Sequence, residues 1–134
     1  MANLTKVEGI GEVYVQKLAE MGVTSTAGLL KQGASPKGRQ EIADKTGISP
    51  KLILTWVNHV DLFRIKGVGE EYADLLEAAG VDTVPELAQR NGANLRQKMA
   101  EVNQEKQLVR QLPPESKVLD WVEQAKELPR VITY

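Results

Sequence analysis

The stretch "VEGIGEVYVQKL" (7–18) returns as "IKGVGEEYADLL" (65–76), a shift of 58 residues. Gly9, Gly11, Glu12, Tyr14, Leu18, Gly22, Val23 and Leu29 fall in step with Gly67, Gly69, Glu70, Tyr72, Leu76, Gly80, Val81 and Leu87. Chance does not keep glycines and apolar positions in register together. The chain is built from two copies of one supersecondary unit, and each copy needs a neighbour to bury its apolar face. Further on, "KLILTWVNHV" (51–60) resembles "KVLDWVEQA" (117–125), with Trp56 against Trp121. The offset there is 65, so the second copy has gained seven residues, assigned to the neighbourhood of "QLPPES" (111–116).

The periodicity predicts helices throughout. Residues 12–21 place Tyr14, Leu18 and Met21 on one face, and residues 70–79 do the same with Tyr72, Leu76 and Ala79. Gly22 and Gly80 are expected to stop these helices as left-handed residues just past the end. A short helix follows each. "TVPE" (83–86) reads as a capping box with Glu86 at the third helical position. "SPKG" (35–38) and "SPKL" (49–52) each set a serine cap before a proline, so helices start there. The longest helix is expected from about Pro50 to about Arg64, with a core stripe of Ile53, Trp56, Val57, Val60 and Phe63. "LPP" (112–114) interrupts the chain before a last helix over 116–128, which Pro129 ends. No run alternates as a strand would.

In "GIG" and "GVG" the chain is expected to turn sharply, with Ile10 and Val68 dropping into the core beneath the turn. The second glycine opens a helix whose first N–H groups have no partner within the helix, an arrangement suited to holding a phosphate. This pattern resembles the helix-hairpin-helix motif. "FRIKGVGEEYADLLEAAGV" (63–81) fits it with a long helix in front. "VEGIGEVYVQKLAEMGV" (7–23) lacks that first helix, and the last helix (116–128) is expected to take its place, closing the tandem on itself. With "GASPKGRQEIADKTGIS" and "ELPRVITY" included, the whole chain resembles a bacterial family of unknown function built from such repeats. The resemblance implies an all-α fold of tandem helix-hairpin-helix repeats in one compact helical domain, residues 1–64 forming the first repeat and 65–134 the second with a C-terminal helix and tail. It also implies contact with the DNA backbone through Gly9, Gly11, Gly67 and Gly69. Glu12 and Glu70–Glu71 depart from the motif, because DNA-binding members carry small, proline or basic residues there. A carboxylate in the first turn suits the helix dipole but repels a phosphate.

The charge is unevenly distributed. Residues 65–88 hold Lys66 against Glu70, Glu71, Asp74, Glu77, Asp82 and Glu86, a net of −5, and residues 7–30 have a net of −2. Residues 31–51 hold Lys31, Lys37, Arg39, Lys45 and Lys51 against two acids, and residues 90–110 hold Arg90, Arg96, Lys98, Lys106 and Arg110 against two, each a net of +3. The net charge of −1 is a poor overall footprint for a nucleic-acid binder, so any such contact must come from the basic segments. Lys66, Lys37, Arg39, Arg96 and Lys98 are the expected backbone contacts, beside the four glycines. Within "RQEIADKTGISPKLILTWV" (39–57) the spacing also resembles a helix-turn-helix with Gly47 at the turn. Its recognition helix would offer only Lys51, Thr55 and Asn58, and Gly47 is better read as the residue between two packed helices.

Several chemistries are set aside. With no cysteine there is no disulfide, thiolate metal site or cysteine nucleophile. The single histidine, His59, has no second ligand at metal spacing. Ser25, Ser35 and Ser49 read as helix caps rather than nucleophiles. The glycine turns lack the preceding strand and third glycine of a dinucleotide fingerprint, and there is no "GKS" or "GKT". No signal-peptide or membrane-spanning run is seen. The expectation is a cytoplasmic, non-enzymatic protein without cofactor, metal or membrane partner. Its partner is nucleic acid bound through the backbone, or alternatively another protein for which the tandem serves as an interaction or scaffold module.

Overall fold

The computed structural model describes residues 4–134. Among these there are eight α-helices, one 3-10 turn and no strand. The chain divides into two compact units, one running through Asp61 and taking in Val131–Tyr134, the other comprising Leu62–Arg130. The first unit holds the 3-10 turn Leu4–Lys6, α1 (Glu12–Glu20), α2 (Thr26–Gln32), α3 (Pro36–Thr46) and nearly all of α4 (Pro50–Leu62). The second holds α5 (Glu70–Ala78), α6 (Val84–Ala88), α7 (Gly92–Lys106) and α8 (Glu115–Glu127).

The same local rules build both units. Helices α1 and α5 each have nine residues and start directly after a glycine. Both end in a Schellman motif. Gly22 stands at φ +90° and Gly80 at φ +97°, the left-handed geometry that favours glycine. The Val23 N–H donates to the Leu18 carbonyl and the Val81 N–H to the Leu76 carbonyl, both at 2.9 Å. Gly22 and Gly80 donate to Ala19 and Glu77, each at 3.0 Å. The serine caps are formed: Ser25 Oγ accepts from Gly28, and Ser35 Oγ from Gly38, both at 3.1 Å. Ser49 Oγ accepts from the Lys51 N–H at 3.2 Å. Gly47, left-handed at φ +75°, ends α3 before α4.

Each unit closes around a tryptophan. Trp56 on α4 and Trp121 on α8 are both 0% exposed. The Tyr14 ring lies 5.1 Å from the Trp56 ring, tilted by 58°. The Tyr72 ring lies 5.3 Å from the Trp121 ring, tilted by 53°. In the first unit Leu4, Val7, Ile10, Leu18, Leu29, Ile42 and Ile53 are buried along with Trp56. In the second unit Val68, Leu75, Leu76, Leu87, Leu95, Met99 and Val118 join Trp121 in one cluster.

Four expectations are corrected. The longest helix is α7, with 15 residues, against 13 for α4, which stops at Leu62 and leaves Phe63 half-buried beyond its end. Helix α7 is polar around most of its circumference, so its narrow apolar stripe is weak in the sequence. Helix α7 is four residues longer than α3 and the connection 107–114 five longer than 47–49, and a shorter α6 takes back two, which leaves the insertion of seven. The capping box at Thr83 is not formed. Instead the Glu86 carboxylate reaches back, accepting from the Asp82 N–H at 3.3 Å and from the Thr83 hydroxyl at 3.5 Å. Helix α8 packs on α6 and α7 within its own unit, so it does not stand in for a helix of the first copy. That place is taken by the 3-10 turn. Its buried Leu4 accepts from the Val7 N–H at 3.0 Å, as Leu62 accepts from Ile65 at 3.1 Å.

Candidate nucleic-acid interface

The two glycine turns are copies in backbone geometry. Gly9 and Gly67 adopt φ +90° and +97°. Gly11 stands at φ −90°, ψ −175° and Gly69 at φ −100°, ψ −167°, each as the N-cap of the helix it opens. Between them, Ile10 and Val68 are buried, which pins the middle of each turn to the core. Neither Gly11 nor Gly69 supplies a side-chain cap, and a Cβ built on either would meet no atom within 4 Å. The start of each helix is therefore open to an approaching group.

Beneath each turn lies an indole. A Cβ on Gly9 would stand 3.3 Å from Trp56 Nε1, and one on Gly67 would stand 3.0 Å from Trp121 Nε1. Both indole N–H groups are buried without a hydrogen-bond partner. The first glycine of each turn is thus required twice: by its positive φ and by the tryptophan under it.

The copies differ in charge. At the second turn Lys66 is exposed, where the first has Glu8. Lys117 runs its stem along the second turn, its Cε lying 3.8 Å from the Cβ position of Gly67. By the register that pairs Trp56 with Trp121, the first copy has Leu52 there. Gln124 fixes the backbone of Lys66 from both sides. Its Oε1 accepts from the Lys66 N–H at 2.8 Å, and its Nε2 donates to the Lys66 carbonyl at 3.1 Å. Against these cations stand Glu12, and Glu70 and Glu71, in the first turns of α1 and α5. At the far end of α5, partial burial pushes the Asp82 carboxyl up, with Glu86 and then Glu77 adding to the effect.

The basic residues separate into two kinds. Lys37, Lys66 and Lys98 are exposed. Arg39 is not: it is 7% exposed, and its guanidinium donates to the carbonyls of Gly33 at 2.9 Å and Thr133 at 2.8 Å. Its charge faces the chain's own carbonyl oxygens, so it is withdrawn from the expected backbone contacts. Arg96 is half-buried and donates from Nε to the Pro113 carbonyl at 3.1 Å, which ties it to the connection before α8. Of the helix-turn-helix residues, Thr55 donates back to the Lys51 carbonyl, and Asn58 accepts from the Tyr134 hydroxyl, both at 3.1 Å. Lys117 and Gln124 are additions that the structure makes to the site. Their signal is present in the sequence, since placing Trp121 under Gly67 puts the residues one turn before and after it beside the second turn.

Among the described residues no group of three or more His, Cys, Asp or Glu is placed to hold a metal ion. No helix among them is long and apolar enough to cross a membrane. No curated protein and no solved structure matches the chain. A family model does, over residues 8–128, a span that takes in both glycine turns and both tryptophan helices. The chain therefore belongs to the family described as a domain of unknown function (DUF4332).

Proposed function

We propose that this chain is a non-enzymatic tandem helix-hairpin-helix protein that grips the nucleic-acid backbone without reading its sequence. The observation that carries this reading is the repetition of one turn geometry: a glycine-led helix start, uncapped by any side chain and open to solvent, built twice on different flanking residues. Helix starts of this kind favour a phosphate through their N–H groups and dipole. The second turn is the stronger of the two, because Lys66 and Lys117 lie beside it and the first has Glu8 and Leu52. Lys37 and Lys98 add positive charge in their own units.

Mobility-shift titrations against duplex, branched and single-stranded DNA at two salt concentrations test the reading. Lys66→Glu and Lys117→Glu should each weaken binding to every DNA form, and should flatten its salt dependence by about 0.9 in slope for each duplex phosphate no longer neutralised. Glu70→Gln with Glu71→Gln should tighten binding by removing repulsion beside the phosphate. Absence of binding to all forms at low salt, with the helical fold intact, overturns the proposal and favours a protein-interaction module. That second reading has its own support. The acidic first turns repel phosphate, and an open hollow of about 540 Å³, lined by Glu71, Gln107, Leu108, Val109 and Arg110, lies in the second unit.

A further inference from the structure

Residues 131–134 leave the second unit and lie in a cleft of the first. The Thr133 N–H donates to the Ala34 carbonyl at 2.8 Å, and the Thr133 carbonyl accepts from Arg39 Nη2 at 2.8 Å. One residue thus has both main-chain groups bonded. The side chains to either side alternate. Ile132 is buried at 3% exposure, whereas Tyr134 is 62% exposed and held at the surface, its ring over the Arg39 guanidinium, 5.9 Å from Cζ, and its hydroxyl donating to Asn58 Oδ1 at 3.1 Å. Main-chain bonds that fix an extended segment, with pockets for alternate side chains, are the usual means of recognising a peptide. The receiving groups are also held by the rest of the first unit. Arg39 is held by the Gly33 carbonyl at 2.9 Å, and Gly33 sits so close to α4 that a Cβ there would stand 2.5 Å from Val57 Cγ2. A cation buried this deeply with neutral carbonyl partners is costly unless its donors stay matched, so the cleft demands an acceptor where the Thr133 carbonyl lies.

We propose that this cleft is a docking site for an extended segment of the pattern branched-apolar, hydroxyl-bearing, aromatic, the middle hydroxyl donating to the Ala34 carbonyl as that of Thr133 does at 3.3 Å, and that residues 131–134 occupy it as a tethered pseudo-ligand. The partner is a protein presenting such a segment. It enters when the chain's own segment lifts away, and Arg39 reads its main-chain carbonyl. The chain's own occupancy is sustained by tethering, since a short linked segment meets its site at a high effective concentration, although only Ile132 is deeply buried. This inference is independent of the nucleic-acid reading.

The test uses the full chain with its own segment disabled, by Ile132→Asp in one variant and Thr133→Pro in another, the latter removing the N–H that bonds Ala34. The probe is a fluorescently labelled peptide of residues 130–134 with both ends blocked, followed by anisotropy. Each folded variant should bind it saturably, at least about tenfold more tightly than the parent chain, in which the segment competes. A peptide methylated on the threonine nitrogen should bind at least about tenfold more weakly, because its main chain can no longer donate to the Ala34 carbonyl. Asn58→Ala should weaken the tyrosine peptide and leave a phenylalanine version unchanged. No binding by folded variants at millimolar peptide, or equal binding of the methylated peptide, overturns the proposal. So does loss of the helical fold in both variants, since the segment would then be an integral part of the unit rather than an occupant.

Discussion

Trp121 fills its pocket, yet its indole N–H has no hydrogen-bond partner and stands 3.0 Å from the Cβ position of Gly67. Two costs meet at that point. Gly67→Ala should destabilise by about 1–2 kcal/mol for the left-handed backbone alone, and further for the contact with the indole. In a Trp121→Phe background the contact disappears and only the backbone cost remains, so the two substitutions should couple in a double-mutant cycle read by urea unfolding. Trp121→Ala should cost about 3–5 kcal/mol. Trp121→Phe should cost much less, because it also deletes a buried unpaired donor that itself costs about 1–3 kcal/mol. Asp82 gives a pH-dependent counterpart. Its carboxyl is pushed up by burial, Glu86 and Glu77, so the folded state holds its proton more tightly than the unfolded chain does. The stability this group contributes is therefore present at acid pH and lost as pH rises through its raised value. Asp82→Asn should raise the melting temperature at neutral pH, and the difference should vanish where the aspartate is protonated in both states.

Helix starts make the same chemistry measurable element by element. Ser35→Ala removes the acceptor for the Gly38 N–H at the head of α3 and should cost about 1 kcal/mol in thermal or urea unfolding. Thr83 caps nothing at the head of α6, so no such cap is available to remove there. These two positions also show how much is legible in the sequence. Ser-Pro before a helix is a local signal with one local outcome, and the caps at Ser35 and Ser49 follow it. The repeat determines the glycine turns, both Schellman endings and both buried tryptophans, because those depend on residues a few positions apart. Thr83 misleads because the nearby Glu86 finds a better use bonding Asp82 and the threonine hydroxyl. Arg39 misleads for a different reason. Its partners are the carbonyls of Gly33 and Thr133, and a backbone acceptor leaves no mark in the identity of the residue that carries it. Helix α7 is faint in the sequence because only Gly92, Leu95 and Met99 on it are fully buried.

Across the whole molecule, a net charge of −1 conceals an asymmetry between two turns of equal geometry. If backbone phosphate is held mainly at the second turn, the two tryptophans become separate reporters. With Trp56→Phe, the remaining Trp121 should change its emission when DNA is added. With Trp121→Phe, the remaining Trp56 should hardly respond. Equal responses would mean that the two turns share the load despite their different flanking charges. One last consequence belongs to the order in which the chain is made. The first unit draws its final residues from 131–134, and the bond from Arg39 to Thr133 joins positions 94 residues apart. On a ribosome, the continuous stretch from Leu62 to Arg130 can complete its own unit while Arg39 in the earlier one is bonded to Gly33 but lacks the Thr133 carbonyl. The unit that is synthesised first thus has its cleft filled last, and the bond from Arg39 to Thr133 bears the long-range chain closure that local helix formation elsewhere avoids.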